Sequence, residues 1–569
     1  MRLTTRIAVG FASALLVVAI LYDAPASGGS ASIRILFDFG DGSYLWASET
    51  IPDPSAVNAT WLAVQRAASA NGVSIESTWY DCCGVGIADI GDRHSPARFI
   101  GLYEWNTSAR TWDFTSSGIS GLIVQDGASI ALYNAGYDSV TFAGRTPVPT
   151  PDHPTPAVEF RSDLGNSGAS PSTAPSAVRL AWDRDTGVRE IEATPAVAYG
   201  HVFVNTRDGI LALDEFSGRT IWNRSAARGF SSPAVFDDSV IVGTSDGTVV
   251  RLNASDGGVQ WETRLLTESS FSGITSSPKV AFDRVLIGTF NESGGPGEVV
   301  SLWASNGTVA WRHPTGSVHY SSAAYLDGVA YVGIMGTYNT TSQVTFDPPY
   351  GILALDASTG AEKWFFETGG SVAASPAIAG SRLIAPSKDG NVYAIDRATG
   401  VLAWKAAVDA GVSSPAVAGD SVVVGGGSFG TTGRVVALDV ATGDPRWSYT
   451  PNGPVQASIS YADGNVFFAT NAAHGSIYAL NATTGALAWS FEPSPSEYIL
   501  GSPVVADGTV FAPSDNGHVY ALGPAIRLAE PILIPVLVGL GVVGAAIGVA
   551  AVVVFVVFVR KRSRGGRVA

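Results

Sequence analysis

From residue 178 to residue 523 the chain is a succession of short apolar runs, each cut off by Gly, Asp or Asn. Runs such as SVIVG, NVFFA, VVRLN and VYAID are rich in β-branched and aromatic residues. Runs this short, closed by turn formers, predict antiparallel strands joined by hairpins rather than helices. Asp237-Asp238, Asp327-Gly328, Asp463-Gly464 and Asp507-Gly508 mark the first turn of each unit, and a second turn contains Gly. Four strands per unit are expected.

The units repeat. One eleven-residue phrase, small or polar–Leu/Ile–x–x–x–x–Gly–x–x–x–Trp, occurs seven times, ending at Trp222, Trp261, Trp311, Trp364, Trp404, Trp447 and Trp489; Trp182 stands in the matching place upstream. Ser/Thr-Pro steps precede most copies: Thr194-Pro195, Ser232-Pro233, Ser277-Pro278, Ser375-Pro376, Ser414-Pro415 and Ser502-Pro503, with Ser322-Ala323 and Ser458-Ile459 as degenerate versions. Repeats 39 to 53 residues apart are the spacing of propeller blades. The last unit, opening at Ser502, stops near Gly523 without its Trp strand, and residues 178–183 supply the missing one. The expectation is therefore all-β: an eight-bladed propeller over 178–523, closed by an N-terminal outer strand that leaves only short protected edges.

Each part of the phrase has a mechanical reading. Asp214, Asp356, Asp396 and Asp439 suit Asx turns. Gly218, Gly360, Gly400, Gly443 and Gly485 suit a positive φ. The indole at the start of each outer strand is expected to pack on the neighbouring blade. The form A-x-D-x-x-T-G-x-x-x-W, matched fully at Ala354–Trp364, Ala394–Trp404 and Ala437–Trp447, resembles the tryptophan-docking repeat of pyrroloquinoline-quinone-type β-propellers. The resemblance covers residues 178–523 and implies one of two functions. Some members are quinone-dependent alcohol or glucose dehydrogenases; others, such as the outer-membrane assembly lipoprotein, are scaffolds without a cofactor.

The flanks add context. Arg2 and Arg6 precede an apolar run to Leu21 and the small residues Ala24-Pro25-Ala26-Ser27, which predicts a signal peptide over 1–27. Residues 31–146 are expected to form a small α+β domain. Ser32–Phe39 reads as a strand, Val57, Trp61, Val64 and Ala68 as one helix face, and Phe99–Trp105, Trp112–Phe114, Gly121–Val124 and Ser129–Tyr133 as strands. This order resembles a β-grasp-like family related to the C-terminal domain of transcobalamin, without implying cobalamin binding. Five prolines in 146–156 and the Ser, Ala and Gly of 157–177 predict an exposed linker over 147–177. Residues 531–559 carry no charge and are long enough for one transmembrane helix. The basic tail 560–569 then belongs in the cytoplasm and the bulk of the chain outside the cell.

Composition narrows the function. A net charge of −15, with no basic stripe before the tail, excludes a nucleic-acid partner. The only cysteines, Cys82-Cys83, are adjacent and outside the repeats; a vicinal disulfide or an interchain bridge is the expected use, not catalysis. A quinone site needs a metal-binding oxygen set and basic groups at the channel mouth. In a propeller of this strand order the mouth lies three residues before each Ser/Thr-Pro proline, at Glu192, Phe230, Thr275, Tyr320, Ala373, Val412, Gln456 and Leu500. One acid and no base there favour no cofactor, no metal and no catalytic residue. The favoured function is a cell-surface binding or scaffold module with a protein, small-molecule or glycan partner. A quinone-dependent dehydrogenase and a carbohydrate or peptide capture protein are the alternatives. The longest insertions, Phe290–Gly297, Gly336–Tyr350, Gly425–Gly433 and Thr470–Gly475, supply the candidate contact residues Tyr338, Gln343, Phe346, Asp347, Tyr350, Phe429 and His474, with His319 and Tyr320 beside them.

Overall fold

The computed structural model describes residues 30–81, 84–92, 98–115, 117–136, 145–266, 273–343 and 345–523. The signal peptide, Cys82-Cys83, the apolar segment 531–559 and the tail 560–569 lie outside the described residues. Among the described residues no helix is long and apolar enough to cross a membrane.

The N-terminal region pairs β1 (Ala31–Asp38), β2 (Tyr44–Ile51), β5 (Phe99–Asn106), β6 (Thr111–Phe114) and β7 (Ser129–Ala135) in the order β2-β1-β7-β5-β6, with β1 and β7 parallel. Between β2 and β5 come α1 (Ala59–Ala70) and the hairpin of β3 (Ile75–Tyr80) with β4 (Gly84–Ile90). Trp61, Val64 and Ala68 lie buried in one core with Ile33, Ile35 and Phe37 of β1. Two expectations fail here. Val57 is exposed, because Asn58 takes a left-handed φ of 60° and the helix starts only after it. Gly121–Val124 is not a strand: Val124 is buried as a plug of the core, and the Leu122 carbonyl is held by the Thr60 hydroxyl at 2.6 Å.

Residues 180–522 are all-β and propeller-like. They form six four-stranded antiparallel sheets, a two-stranded hairpin (Thr337–Tyr338 with Phe346–Asp347) and one eight-stranded sheet, in which two four-strand meanders are joined by the single pairing of Ala410 with Gly426. In sequence order the four-strand units cover 196–224, 234–264, 279–315, 324–367, 377–410, 416–449 and 460–491, hereafter the first to seventh sheets. The eighth sheet combines 504–522 with β8 (Leu180–Asp185), which pairs antiparallel with the strand His518–Leu522. In every unit the pairing of the third and fourth strands slips by one residue beside the tryptophan's partner, as at Ala394/Ile395. That β-bulge turns the indole toward the next sheet.

The indoles join the sheets in series. Nε1 of Trp182, Trp222, Trp261, Trp311, Trp364, Trp404 and Trp447 each donates to a backbone carbonyl of the following sheet, at 2.8 to 3.2 Å. Trp489 differs and donates to Pro175 O at 3.0 Å. The eighth sheet has no third-to-fourth turn of its own, so the segment leading into β8 takes that place.

The expectation of an exposed linker over 147–177 is overturned. Ala157, Val158, Glu159, Arg161 and Asn166 are all at most 4 % exposed. The segment crosses the inner strands one after another. Thr155 binds Asp507 of the eighth sheet, Ala157 pairs with Val197 of the first, and Val158 O accepts from Val235 N of the second. Lys279 of the third sheet reaches Glu159; then Leu164, Gly165, Ser167 and Gly168 carbonyls accept from Tyr325, Ile378, Val417 and Tyr461 of the next four. The innermost strand of each sheet offers an unpaired edge at its end, and this strap satisfies those backbone groups in turn. Its small and proline residues permit close passage; they do not signal exposure.

Candidate binding site at the channel mouth

The Ser/Thr residues before the prolines face one another. The backbone N–H groups of Thr194, Ser232, Ser277, Ser322, Ser375, Ser414 and Ser458 each donate to the side-chain hydroxyl of the counterpart in the next sheet, at 2.8 to 3.2 Å. The repeated hydroxyl therefore stitches adjacent sheets. Inside this array is a cavity of about 240 Å³ lined by Glu192, Phe230, Thr275, Tyr320, Ala373, Val412, Gln456 and Leu500, the eight positions read from the spacing, and by Phe160 of the strap. Around Phe160, Arg161 donates to Pro415 O, and Asn166 Nδ2 to Ser322 O and Pro376 O. The strap thus lies across one end of the cavity.

At the other end the cavity continues, through shared Tyr320, Ala373 and Val412, into a second one of about 410 Å³. This second cavity brings together His319, Tyr320, Tyr338, Gln343 and Phe346, five of the nine candidates, with Phe290, Glu292, Met335 and Lys388. The aromatic rings build a wall. Phe290 lies 4.7 Å from His319, 5.3 Å from Tyr338 and 5.8 Å from Phe346, centroid to centroid, and His319 is 4.0 Å from Tyr320. Tyr338 and Phe346 stand opposite each other on a two-residue hairpin, Thr337–Tyr338 with Phe346–Asp347. Asp347 takes both Asn339 Nδ2 contacts and Tyr350 OH donates to Phe346 O, so these two candidates shape the hairpin rather than line the cavity. Phe429, which is 67 % exposed beside Tyr498, and His474, which faces Glu492, lie outside it.

Phe290, Met335 and Lys388 were not singled out by the sequence. Phe290 opens the insertion Phe290–Gly297, and Met335 directly precedes the insertion Gly336–Tyr350. Lys388 sits in an ordinary short turn, where nothing in the local pattern marks it.

Electrostatics divides the mouth. His319 is covered by its aromatic neighbours and hydrogen-bonded through Nδ1 to Thr275 Oγ1 at 2.8 Å. Desolvation, with Lys388 adding repulsion, lowers its pKa to about 3, so the imidazole is neutral at physiological pH. Tyr320 holds a φ of 69° while 45 % exposed, strained backbone for a bulky residue. Glu192 lines the inner cavity, and Asp515, Glu190 and Glu497 form an acidic group with it. Burial, then repulsion from the other three carboxylates, raises Asp515 to about 7, against the opposing pull of Arg207. Its Oδ1 is buried without a hydrogen-bond partner. Arg207 pairs with Glu190 and lies over the Phe230 ring at 5.2 Å. The mouth thus joins an aromatic wall to an acidic group.

The fold has known counterparts. A quinohemoprotein alcohol dehydrogenase from Pseudomonas putida superposes with a TM-score of 0.56 at 17 % identity, over 67 % of this chain and 82 % of that one. A europium-containing methanol dehydrogenase gives 0.54 at 15 % identity, over 65 % and 98 %. In sequence, the outer membrane protein assembly factor BamB of Yersinia pestis is 23 % identical over 327 residues, 56 % of this chain and 68 % of its own length. BamB of Burkholderia pseudomallei is 23 % identical over 385 residues, 65 % and 91 %. A Pseudomonas putida quinohemoprotein alcohol dehydrogenase reaches 31 % identity, but over only 24 % of this chain and 22 % of its own. The family model described as outer membrane protein assembly factor BamB matches residues 174–332, 335–453 and 404–525, well over half of the sequence. By that match the chain belongs to the BamB-like family of pyrroloquinoline-quinone-type repeat proteins.

Proposed function

We propose that this protein is a binding module: an eight-bladed ring, closed by β8, whose mouth captures an extended segment of a partner protein. The observation that carries this reading is the pair of joined cavities, the outer one walled by Phe290, Tyr338 and Phe346 and the inner one carrying the carboxylate of Glu192. Such a mouth suits a peptide that offers aromatic or aliphatic side chains to Phe290, Tyr338 and Phe346, and a basic residue to Glu192 and Asp515. Aromatic anchors in water-excluding pockets dominate the energetics of such contacts. The relatives named as assembly factors agree with a protein partner. The signal-like N-terminus and the apolar segment 531–559 support placing the ring outside the cell on a membrane anchor.

The dehydrogenase reading has weaker support. The inner cavity contributes one carboxylate, Glu192, and no Lys or Arg, and the outer one adds a single base, Lys388, whereas a quinone's several carboxylates call for several basic partners. Two experiments test the proposal. Full-length protein cross-linked in native membranes should capture a protein whose recovery falls at least tenfold in Phe290→Ala/Tyr338→Ala; equal recovery rejects the site. Purified protein given pyrroloquinoline quinone, calcium, an alcohol and a dye acceptor should leave the dye oxidised; reduction establishes the enzymatic alternative.

A further inference from the structure

His153, Glu215 and Asp507 come from three distant places: the strap, the first sheet and the eighth sheet. Their ligand atoms lie within 4.8 Å of one another. His153 Nδ1 is 3.1 Å from Glu215 Oε2 and 3.5 Å from Asp507 Oδ2. The side chains are 10, 3 and 9 % exposed. The facing atoms, Nδ1, Oε2 and Oδ2, are all buried, and none has a hydrogen-bond partner outside the cluster. Three buried ligand atoms that face only one another, two of them on carboxylates, are costly unless a cation or a shared proton sits between them.

We propose that this point is a divalent transition-metal site, with Zn²⁺ the best fit, ligated by His153 Nδ1, Glu215 Oε2 and Asp507 Oδ2. Ligand atoms about 2.0–2.1 Å from a tetrahedral zinc stand roughly 3.3 Å apart, which the two separations bracket. An imidazole in the set selects against magnesium and calcium. The outer partners are in place. Asp507 Oδ1 accepts from Thr155 N at 2.8 Å and Thr155 Oγ1 at 2.9 Å, which turns Oδ2 toward the cluster. The His153 backbone is held in a turn with Thr150, through Thr150 N to His153 O at 3.1 Å and His153 N to Thr150 Oγ1 at 3.0 Å. Three protein ligands leave one position for water.

The site's place gives it a purpose. Glu215 O also accepts the Trp182 indole at 2.8 Å, so the cluster lies where β8 and the eighth sheet meet the first. A metal here clamps both ends of the repeat array and the start of the strap in one bond set. The rival arrangement is a protonated imidazole between two carboxylates.

The test uses the full-length protein in detergent, without a polyhistidine tag, stripped with a chelator and titrated with Zn²⁺ alone. One equivalent should bind and raise Tm by several degrees, and Co²⁺ in its place should give the intense visible absorption of a four-coordinate site. Glu215→Gln and Asp507→Asn should each weaken Zn²⁺ binding at least tenfold. An unchanged Tm with and without Zn²⁺, an absent Co²⁺ band, or equal affinity in Glu215→Gln overturns the proposal in favour of the ion triad. Should the variants not fold, the wild-type Tm shift and Co²⁺ spectrum decide alone.

Discussion

At the scale of single residues, the repeated phrase is two halves of one joint. The glycine of each copy sits under the indole of the preceding sheet. A Cβ built on Gly400 would meet the Trp364 ring at 2.8 Å, and one on Gly443 would meet Trp404 at 2.6 Å. Gly400 also has a φ of 72°. Gly400→Ala is therefore expected to cost more than the ~1 kcal/mol of a left-handed alanine alone, because the indole must move as well; urea unfolding measures it. Trp404→Phe keeps most of the apolar contact but abandons the bond to Val440 O, with an expected loss of about 1 kcal/mol in the same assay. Asp515 makes a pH prediction. Its folded pKa, raised to about 7, lies above the unfolded value near 4. Below about pH 4 the group is neutral in both states and carries no penalty; between 4 and 7 stability falls as pH rises. Asp515→Asn should therefore raise Tm relative to wild type at pH 8 and lose that advantage near pH 4.

At the scale of elements, the strap is the part that local sequence describes least well. Pro, Ser and Gly usually mark solvated connections, yet here they allow a chain to run close beside eight strand ends. Its most expensive contact is a buried ion pair: Lys279 Nζ lies 3.1 Å from Glu159 Oε1 and also donates to Phe160 O and Asp163 O. Lys279→Met leaves Glu159 buried and unpaired, which should cost ~3–5 kcal/mol, while Lys279→Met/Glu159→Gln should recover much of the loss. Equal destabilisation by single and double variants, measured in a double-mutant cycle, would deny the pairing a role. The N-terminal region is tied down comparably. Arg98 donates to both carboxylate oxygens of Asp237 in the second sheet, at 3.3 and 3.2 Å, and to Tyr133 OH at 3.2 Å. Arg98→Met should accordingly loosen this region first, seen as faster hydrogen exchange along β7 than in the repeat sheets.

At the scale of the whole molecule, the strap and β8 make the ends of the repeat array interdependent. Trypsin acting on native protein should cut at exposed Arg179 and spare Arg161, which is 4 % exposed, until global unfolding. Early cleavage at Arg161 would show a strap that detaches. Much of this was legible beforehand: the strands, the Trp series and the cavity-lining positions follow from a period set by covalent spacing and turn chemistry. Tyr338, Gln343 and Phe346 meet in one cavity because insertion length marks where chain leaves the common framework, and His319 and Tyr320 join them from the loop that enters the fourth sheet. Phe429 and His474 stand on insertions too, but their loops point elsewhere, and insertion length carries no direction.

The sequence by itself determined the local elements, since hairpin turns, bulges and indole seats depend on residues a few positions apart. Only the tertiary structure decided what meets across long intervals: the strap beneath Phe160, Lys388 beside the aromatic wall, and His153 with Glu215 and Asp507. Those contacts join groups tens to hundreds of residues apart, and no local preference encodes them. They arise when stacking of the sheets leaves buried polar groups and strand ends that only a distant part of the chain can satisfy.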